Sequence, residues 1–385
     1  MAGASPLLRL LLRNCGPDVI HGDRLDKPTY SFLKTLPGGS VGEVRLVWHE
    51  PLQRMLVQKT IDLLGLEDAV AYREPRLLDR VEHDHVVRIR DAQPDPEVEH
   101  GLTLVMDYLA GGSVDAALQD GHRFGVRRAL VLAGQILDAL DTLHAKHGYL
   151  HRDVKPGNVL LDEDRKAAYL GDLGSSAPLS DGDRTCEAHG GTLLYRPPEY
   201  GTGVLDVRSD IYSLGVTLLE MLRGPFPYEK MDPLQMEERL GRGRRAFADS
   251  LAEFPPHVND QVRRAVRALM AQNPSSRPDS AMEALRRIQQ CRTIDWKVCG
   301  PRDTAPSQWE GAGLPGRDGT VRSYRVEVVA VSGGPNRGRS RVMSRYRDRA
   351  GGGWRRLAPD EVADLDDREA LDRAFAVADR DAFQR

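Results

Sequence analysis

The spacing of apolar residues changes along the chain from a strand pattern to a helix pattern. Between residues 30 and 61, short runs of alternating apolar and polar residues are separated by a glycine-rich turn at 37–42 and a second turn at 50–53. This alternation predicts an antiparallel meander of strands. Between residues 127 and 147 the apolar residues recur at helical spacing, which predicts a long amphipathic helix.

Two further segments complete this outline. Residues 102–109 form an apolar run that ends in Ala110-Gly111-Gly112-Ser113, which predicts a strand leading into a polar break. Residues 67–80 carry Leu77 and Leu78 at helical spacing, but Pro75 interrupts them. Because a proline inside a helix costs about 3 kcal/mol, this helix either begins late, near Glu74, or is kinked there.

A polar stretch directly after the long helix carries the most distinctive chemistry. In His151-Arg152-Asp153-Val154-Lys155-Pro156-Gly157-Asn158, a carboxylate, an ammonium and an amide can converge if the chain forms a tight loop, which proline and glycine favour. Asp153 could accept a proton from an attacking alcohol, Lys155 could neutralise a moving phosphoryl group, and Asn158 could bind Mg²⁺ through its carbonyl oxygen. For these three residues alone, a polar turn between two core elements is the alternative interpretation.

A second motif, Asp172-Leu173-Gly174, adds an oxygen ligand for the same metal and removes the polar-turn alternative. The two motifs resemble the catalytic loop and the Asp-Phe-Gly triplet of eukaryotic-like (Hanks-type) Ser/Thr protein kinases, with leucine in place of phenylalanine. The resemblance covers residues 29–291. It implies an α+β, bilobal protein-kinase fold, with residues 29–109 as a small antiparallel β lobe plus one helix and residues 110–291 as a large, mainly helical lobe.

The resemblance also implies a set of residues that bind ATP and Mg²⁺. Lys59 would hold the α and β phosphates, and Glu74 would fix Lys59 through an ion pair. Asn158 and Asp172 would bind the metal, and Met106 would be the gatekeeper of the adenine slot. The other nucleotide-binding positions that the family implies are Gly39, Gly42, Val44, Val57, Asp107, Leu109, Ser113 and Leu160.

Residues 190–199 resemble the end of a kinase activation segment. The resemblance implies that Thr192 hydrogen-bonds near the catalytic aspartate and lysine. It also implies that Glu199 pairs with Arg277 and that Asp210 binds the backbone of the catalytic loop. Small-molecule phosphotransferases lack this framework, so its presence favours a protein substrate.

Arg152 directly precedes the catalytic aspartate, and in kinases of this type such an arginine docks a phosphorylated residue of the activation segment. Ser180 and Thr185 are the candidate phosphorylation sites. We therefore expect phosphorylation of either residue to raise activity.

Composition narrows the class of protein further. The 385 residues are 40% hydrophobic and 29% charged, which is typical of a soluble globular protein with two domains. A net charge of -3 gives no case for nucleic acid or an anionic membrane as the main partner. No apolar run approaches the roughly 20 residues that span a bilayer. Four scattered cysteines without CxxC spacing indicate free thiols and a cytoplasmic location.

The chain outside the resemblance is predicted to form an N-terminal arm, residues 1–28, and a small C-terminal α+β module, residues 292–385. Within this module, residues 301–319 are rich in glycine and proline and predict a linker or loop. Alternation at 323–331 and 340–347 predicts two strands. Pro359 is predicted to open a helix with Leu371 and Phe375 on one face.

The strands of this module are rich in arginine, between Arg337 and Arg356. A solvated sheet face, neutralised by the acidic residues of the last helix, is the favoured interpretation. A docking surface for a phosphorylated or acidic partner, or for nucleic acid, which the net charge disfavours, is the alternative.

The sequence therefore predicts a Ser/Thr protein kinase that transfers the ATP γ-phosphoryl group to protein hydroxyls and autophosphorylates on its activation loop. Two alternatives stay open. A pseudokinase scaffold is supported only by Pro37, which replaces the first glycine of the family's phosphate-covering loop, and by Pro75. A small-molecule kinase is disfavoured by the Glu199 and Arg277 framework.

Overall fold

The computed structural model of the chain describes residues 29–36, 42–65, 72–95, 97–299, 308–316, 319–348, 351–364 and 367–384. The chain divides into two compact units. The first unit contains the chain up to Asp62 together with Gln93–Tyr108, and the second contains Leu63–Ala92 and Leu109–Arg385.

The first unit is built on an antiparallel sheet, which confirms the predicted meander. The strand order is β1-β2-β3-β5-β4, and the last residues of β4 belong to this unit. Valine, isoleucine and aromatic residues in alternation with polar ones suit such a half-buried sheet. The strands are β1 (Tyr30–Leu36), β2 (Val44–His49), β3 (Arg54–Asp62), β4 (Ile89–Pro94) and β5 (Gly101–Asp107).

The second unit begins with helix α1, Arg73–Arg80. Of the two predicted alternatives for Pro75, the structure has the late start, because the helix begins two residues before the proline. In the first turn of a helix a backbone N–H has no intrahelical partner, so a proline there removes no hydrogen bond. Leu77 and Leu78 are buried on the inner face of α1.

Helix α3 forms the centre of the second unit. Ten of its sixteen residues are buried, and its C-terminal end continues as a π-helical turn, Thr142–Lys146, directly before the catalytic loop. Side-chain caps at Asp206, Asn259 and Ser280 begin the neighbouring helices. The helices are α2 (Val114–Gln119), α3 (Val126–Asp141), α4 (Val207–Arg223), α5 (Pro233–Gly241), α6 (Asp260–Leu269) and α7 (Ala281–Gln289).

Short strands surround the loops that carry the polar motifs. A three-stranded sheet of order β6-β8-β9 supports the catalytic loop, and two small ladders, β7 with β10 and β11 with β12, hold the segment after it. These strands are β6 (Gly112–Ser113), β7 (Tyr149–Leu150), β8 (Val159–Leu161), β9 (Ala168–Leu170), β10 (Ala177–Pro178), β11 (Cys186–Glu187) and β12 (Val204–Leu205).

The C-terminal part is an antiparallel sheet of order β13-β14-β15-β16-β17, with β18 also paired to β16 and helix α8 packed on the sheet. The predicted linker at 301–319 was wrong in its middle, because β14 occupies it. The predicted helix start at Pro359 was also wrong, because a strand precedes the helix. The elements are β13 (Asp295–Cys299), β14 (Gln308–Pro315), β15 (Val321–Ala330), β16 (Ser340–Arg347), β17 (Arg355–Arg356), β18 (Glu361–Ala363) and α8 (Arg368–Gln384).

An aromatic cluster joins this sheet to the helices of the second unit. Trp296 and Trp309 are buried and pack edge-on against Phe375 of α8, with ring centroids 5.0 and 5.3 Å apart. His257, from the loop before α6, completes the cluster at 6.1 Å from Phe375. Burial lowers the pKa of His257 to about 4, so its imidazole is neutral within the cluster.

Acidic side chains accompany the arginines of the C-terminal strands. This observation supports the solvated, neutralised face, and the docking surface for an acidic partner stays a prediction. Trp354 lies between Arg325 and Arg347, whose guanidinium groups are 4.3 and 4.4 Å from its ring centroid. The ion pairs join Arg322 to Asp348 and Asp381, Arg325 to Glu310 and Glu327, Arg345 to Asp360, and Arg339 to Asp364.

Candidate active site

The catalytic loop, residues 151–158, holds Asp153 at the centre of a hydrogen-bond network. Asp153 Oδ2 forms an ion pair with Lys155 Nζ at 2.8 Å and accepts a hydrogen bond from Asn158 Nδ2 at 3.2 Å. Its Oδ1 accepts hydrogen bonds from the backbone N–H and the hydroxyl of Thr192, both at 2.8 Å. Because four donors surround the two oxygens and only 6% of Asp153 is exposed, the carboxylate is held in one orientation.

The local sequence explains why this loop is tight. Pro156–Asn158 forms a 3₁₀ turn, and Asn158 Nδ2 donates a second hydrogen bond to the carbonyl oxygen of Asp153 at 2.8 Å. Lys155 Nζ also donates to Thr192 Oγ1 at 2.7 Å. The structure therefore brings four predicted site residues together, while their chemical roles stay predictions.

Asp210 anchors the backbone of the loop. Asp210 Oδ2 accepts a hydrogen bond from the His151 N–H at 2.8 Å, and its Oδ1 accepts one from the Arg152 N–H at 2.9 Å. Arg152 has a left-handed backbone with φ of 64°, and these bonds hold that unfavourable conformation. Burial acts to raise the pKa of Asp210, but the hydrogen bond with His144 and its charge outweigh burial and lower the pKa.

His144 is a site residue that the sequence did not reveal. Its Nε2 lies 2.8 Å from Asp210 Oδ2, and its side chain is buried. In the sequence it belongs to the apolar face of the predicted helix at 127–147, and a buried histidine with a purely structural role gives the same pattern. Only the fold shows that it faces the carboxylate behind the loop.

A close backbone approach places Thr192 beside the loop. Gly190 and Gly191 both have a left-handed backbone, with φ of 69° and 73°. A Cβ atom on Gly191 would lie 2.6 Å from the carbonyl oxygen of Arg152, so only glycine fits there. These glycines lead directly into the residue whose N–H and hydroxyl bind Asp153.

Glu199 and Arg277 form a bidentate ion pair. Arg277 Nη1 donates to Glu199 Oε1 and Nη2 donates to Oε2, both at 2.7 Å. The Arg277 side chain is fully buried, and its guanidinium also lies 4.8 Å from the ring centroid of Tyr212. Two parallel charged hydrogen bonds fix the end of the 190–199 segment to the loop before α7.

Two carboxylates converge beside Gly174. The position that a Cβ atom would take on Gly174 lies 3.0 Å from Glu74 Oε2 and 3.2 Å from Asp172 Oδ1. Glu74 is buried in the first turn of α1. Asp172 has a left-handed backbone with φ of 56°, a strained conformation that often marks a functional residue. Two acidic groups this close create a negative potential that favours a cation.

Asn158 and Asp172 are suitable ligands for Mg²⁺. The Asn158 amide nitrogen donates to Asp153, so its carbonyl oxygen is the group left to bind a metal. In the part of the chain that the structure describes, no three or more His, Cys, Asp and Glu side chains form a metal site. Mg²⁺ takes one or two protein oxygens and completes its shell with phosphate and water, so an Asn and Asp pair fits it.

In the first unit, the sheet register places four predicted nucleotide-binding residues on one face. Val44 pairs with Lys59, and Val57 pairs with Met106. Since directly paired residues and residues two apart share a face, this face combines apolar side chains with one ammonium group. Lys59 itself is buried. Its predicted ion pair with Glu74 joins residues of different units and stays a prediction.

Of the glycine-rich turn at 37–42, only Gly42 lies within the residues that the structure describes. Gly42 has φ of 88°, and a Cβ atom there would lie 1.9 Å from the carbonyl oxygen of Thr60, so the position requires glycine. Gly39 lies outside the described residues. Asp107 is the last residue of β5.

Ser113 and Leu160 are neighbours in the second unit. They pair between β6 and β8, and Ser113 Oγ accepts a hydrogen bond from the Ala116 N–H at 3.0 Å, which caps α2. Leu109 precedes them, and its carbonyl oxygen accepts the Gly112 N–H at 3.1 Å. Ser113 therefore has a structural partner in addition to its predicted place near the ribose.

Arg152 and Arg73 lie close together beneath the activation segment. Arg152 Nε donates to the Ser175 carbonyl oxygen at 2.6 Å, and Arg73 Nη1 lies 3.4 Å from the Ser176 carbonyl oxygen. Burial lowers the pKa of Arg152, and the positive charge of Arg73 lowers it further, although Cys186 opposes this effect. Arg73 was not predicted as a site residue, because an arginine at the start of a helix has no distinctive signature.

Ser180 and Thr185 close a hairpin in the same segment. The Ser180 N–H donates to the Thr185 carbonyl oxygen at 2.8 Å, and the Thr185 N–H donates to Ser180 Oγ at 3.2 Å. Ser180 is exposed and Thr185 is half-buried. The hairpin leads directly into Cys186, the residue whose thiol lies near Arg152.

Comparison with known proteins agrees with this geometry. The chain is 29% identical over 299 residues to ribosomal protein S6 kinase 2 alpha from Xenopus laevis, covering 74% of this chain and 38% of the relative. It is 30% identical over 285 residues to serine/threonine-protein kinase stk11 from Xenopus laevis, covering 72% of this chain and 60% of the relative. Ribosomal protein S6 kinase alpha-2 from Homo sapiens is 27% identical over 308 residues, covering 76% of this chain and 40% of the relative.

The chain thus spans between about two fifths and three fifths of the length of these relatives. Within the described residues, no helix is both long and apolar enough to cross a membrane. The family model for the protein kinase domain matches residues 30–288, well over half of the chain and all of the loops described above. The chain belongs to the protein kinase domain family.

Proposed function

We propose that this protein is a protein-serine/threonine kinase that transfers the γ-phosphoryl group of ATP to hydroxyl groups of protein substrates. The observation that carries the proposal is the network in which Lys155, Asn158 and Thr192 all bind the Asp153 carboxylate. Such a carboxylate is oriented to accept the proton of an incoming hydroxyl group. One relative is named serine/threonine-protein kinase, which supports serine and threonine side chains as the hydroxyl groups that receive the phosphoryl group.

Four residues of the second unit have separate parts in this reaction. Asp153 orients and deprotonates the substrate hydroxyl, and Lys155, which reaches both Asp153 and Thr192, stabilises negative charge on the transferred group. Asn158 and Asp172 would hold Mg²⁺, and the bound metal would supply neutralisation of the phosphate charge. Since phosphoryl transfer needs positioning more than covalent chemistry, the rigid bonding of these residues is what the reaction requires.

The nucleotide contacts of the first unit belong to the same proposal. Lys59 would hold the phosphates of ATP, and Val44, Val57 and Met106, on the same sheet face, would contact the base. A protein substrate is favoured over a small molecule because the Glu199 and Arg277 pair builds the activation-segment framework. A cytoplasmic location stays a prediction that rests on the cysteine pattern.

Transfer of radiolabel from ATP to a generic Ser/Thr substrate tests the proposal. We expect Asp153→Asn to abolish the transfer, because asparagine cannot take the proton, while nucleotide binding persists through the unaltered metal ligands. Asp164→Asn is the matched control, because Asp164 is an exposed acid whose ion pair is to Lys166. Wild-type protein that binds nucleotide but transfers no label would contradict the proposal and favour the scaffold alternative.

We further propose that phosphorylation of Ser180 or Thr185 raises activity, and that the protein phosphorylates itself there. Arg152 Nη1 donates to the carbonyl oxygen of Glu187 at 3.2 Å, just after the hairpin, and Arg73 adds a second positive charge near Arg152. An anion would relieve the repulsion between these two guanidinium groups. A phosphate added to this hairpin would supply that anion and order the segment that carries Thr192.

Mass spectrometry after incubation with ATP tests this second part. We expect phosphate on Ser180 or Thr185 in the wild type and not in the Asp153→Asn protein. The double change Ser180→Ala with Thr185→Ala is expected to lower turnover, while Ser250→Ala, at an exposed serine outside the segment, leaves it unchanged. Undiminished turnover of the double variant would refute the regulatory role without affecting the proposed transfer reaction.

A further inference from the structure

An open cavity of about 370 Å³ lies in the second unit, where helices α3 and α7 pack together. Its floor is one face of α3, and its walls come from α7, from the residues just after α7 and from His85, which lies between α1 and β4. We call it the α3–α7 cleft. None of the described residues that line it belongs to the catalytic loop or the activation segment, and its volume is that of a small-molecule site.

The middle of the α3–α7 cleft is apolar. Leu130, Leu285 and Ile288 line it and are each 9% exposed or less. Gly134 allows α7 to approach α3 here, since a Cβ atom on it would lie 3.2 Å from Leu285 Cδ1. Val131 lies beside them at the rim and is 45% exposed, so an apolar ligand would remove it from water.

One end of the cleft carries a positive charge. Arg127 is the second residue of α3, and its Nη2 donates to the carbonyl oxygens of Thr293 at 3.0 Å and Gly313 at 3.3 Å. Among the described residues, the partners of this guanidinium group are all neutral carbonyl oxygens, so no ion pair balances its charge. A guanidinium group that is held in place in this way is suited to bind a carboxylate.

The other end of the cleft offers hydrogen-bond acceptors. Asp138 lies eleven residues after Arg127, which is about 16 Å along the helix axis. Its side chain is half-exposed, and its Oδ2 is 3.4 Å from His83 Nε2. His85 Nδ1 is 2.9 Å from the carbonyl oxygen of Ala168, and because a carbonyl oxygen only accepts, Nδ1 carries the proton and Nε2 of the neutral ring is an acceptor. This end therefore suits an ammonium group.

Part of the cleft wall lies beyond the kinase domain. The matched domain ends at residue 288, whereas Gln289, Cys291 and Thr293 also line the cleft. The carbonyl oxygen of Thr293 is in addition one of the groups that hold Arg127. The cleft is therefore built by the second unit as a whole and is separate from the proposed nucleotide and substrate sites.

We propose that the α3–α7 cleft binds a small linear amphiphile with a carboxylate at one end, an apolar chain in the middle and an ammonium group at the other end. The carboxylate pairs with Arg127, the chain covers Val131, and the ammonium group binds Asp138 and His85. The reverse orientation would place like charges together at both ends, so the charges fix the direction of the ligand. This inference does not depend on the proposed enzymatic function.

Protection of Cys291 from alkylation tests the proposal in the full chain. Cys291 lines the cleft, whereas Cys299, a second half-buried free thiol, lies in β13 outside it, so one protein contains both the reporter and its control. The probe is ω-aminododecanoate. Dodecanoate lacks its ammonium group, and dodecylamine lacks its carboxylate. Mass spectrometry follows the modification of each cysteine by iodoacetamide, at probe concentrations below those that form micelles.

We expect ω-aminododecanoate to protect Cys291 and to leave Cys299 unprotected. The concentration that gives half of the protection measures the affinity of each probe. Dodecanoate should bind about two- to fivefold more weakly, as expected for the loss of one exposed ion pair. Dodecylamine should bind at least about tenfold more weakly, because the charged hydrogen bonds of Arg127 to the carboxylate are then not made.

Two variants test the end and the middle of the cleft separately. Asp138→Asn should weaken the binding of ω-aminododecanoate about two- to fivefold and should not weaken that of dodecanoate. Val131→Trp should fill the middle of the cleft and abolish the protection. Val204→Trp is the matched control, at a valine that is 51% exposed and lies outside the cleft. Because both valines are on the surface, both tryptophan variants should unfold at the same urea concentration as the wild type.

Several results would overturn the proposal. One is that ω-aminododecanoate gives no protection of Cys291 in the wild type. Another is equal protection of Cys299, or of Cys291 in the Val131→Trp protein, which would mean that the probe adsorbs to the protein non-specifically. Equal affinity for dodecylamine would show that Arg127 does not bind the carboxylate, and an unchanged preference for ω-aminododecanoate in Asp138→Asn would refute the ammonium end.

Discussion

Asp379 allows a quantitative test of how the C-terminal helix is joined to the rest of the second unit. It lies in α8 and is 8% exposed, and its Oδ1 has no hydrogen-bond partner among the residues that the structure describes. Burial, the largest influence, raises the pKa of Asp379 to about 7. Hydrogen bonds from Asn259 and from the Ile294 N–H oppose this shift, and the nearby Asp260 carboxylate adds to it. We expect Asp379→Asn to remove the resulting pH dependence.

The direction follows from proton binding in the two states. The carboxyl group keeps its proton up to about pH 7 in the folded protein and releases it near its ordinary value of 3.8 in the unfolded chain. Between these values the folded state binds more protons, so the free energy of unfolding falls as the pH rises. A shift of about three pH units corresponds to about 4 kcal/mol, and this contribution is lost by about pH 7. The asparagine variant has no such loss.

Urea unfolding of both proteins at several pH values between 4 and 8 measures the effect. The free energy of unfolding of the variant should rise by about 1.4 kcal/mol relative to that of the wild type for each pH unit up to about pH 7. Above that pH the difference should level off. The contribution of His257 to the pH dependence is the same in both proteins, so it cancels from the difference in free energy of unfolding.

In the matched control, the effect of pH on the stability difference is expected to have the opposite sign. Asp360→Asn removes a carboxyl group whose pKa is lowered, mainly by the hydrogen bond from Arg345. This variant should be less stable than the wild type at neutral pH, and the gap should close as the pH falls below about 4. A difference between Asp379→Asn and the wild type that stays constant from pH 4 to 8 would refute the reasoning about burial.

Three further predictions concern the activation segment. Arg277→Met leaves the Glu199 carboxylate without its bidentate partner and should lower the free energy of urea unfolding by about 3–5 kcal/mol. Adding Glu199→Met to the same protein should recover part of this loss. Full stability of the single variant would contradict the prediction. Thr192→Val removes the hydroxyl that links the Asp153 carboxylate and the Lys155 ammonium and should lower turnover about 10–100-fold. Thr192→Ser keeps a hydroxyl and should retain turnover. Equal turnover in the two variants would argue against a role for this hydroxyl. Gly191→Ala introduces a Cβ atom 2.6 Å from a carbonyl oxygen and should reduce turnover and speed hydrogen exchange in residues 186–192, and unchanged exchange would show that the close approach is not required.

The sequence was most informative where short-range patterns determine the structure. The strand meander follows from period-two alternation, and the tight loop after Asp153 follows from Pro156 and Gly157 within it. The motif spacing identified the polar residues that now lie within hydrogen-bond distance of one another. The contact of Thr192 with Asp153 and Lys155 was expected only from the family resemblance, because the local pattern says nothing about a segment almost forty residues away.

The C-terminal part shows why pattern reasoning failed elsewhere. Glycines predicted a linker between residues 301 and 319, yet Gly311 and Gly313 lie in the interior of β14. A Cβ atom on Gly311 would lie 2.5 Å from Ile294 Cγ2, and one on Gly313 would lie 2.7 Å from the Tyr324 ring. Glycine in a strand can mark such a close approach instead of a flexible loop.

The start of the last helix was misplaced for a related reason. Residues 361–363 pair with β16, so tertiary pairing overrides the helical pattern that begins at Pro359. No local signal distinguishes three residues at the edge of a sheet from the first turn of a helix. The helix itself, α8, carries Phe375 on its buried face, which the sequence pattern did predict.

The catalytic loop depends on the C-terminal strands through helix α3. Asp295 Oδ1, in β13, accepts the Arg127 N–H at 3.0 Å and so satisfies a free donor at the start of α3. The Arg127 guanidinium in turn donates to the carbonyl oxygens of Thr293 at 3.0 Å and Gly313 at 3.3 Å. Because α3 runs through the core and ends directly before the catalytic loop, its N-terminus cannot lose these partners without loosening the support of Asp153. The matched kinase domain ends at residue 288, so the residues that complete its central helix lie beyond that boundary.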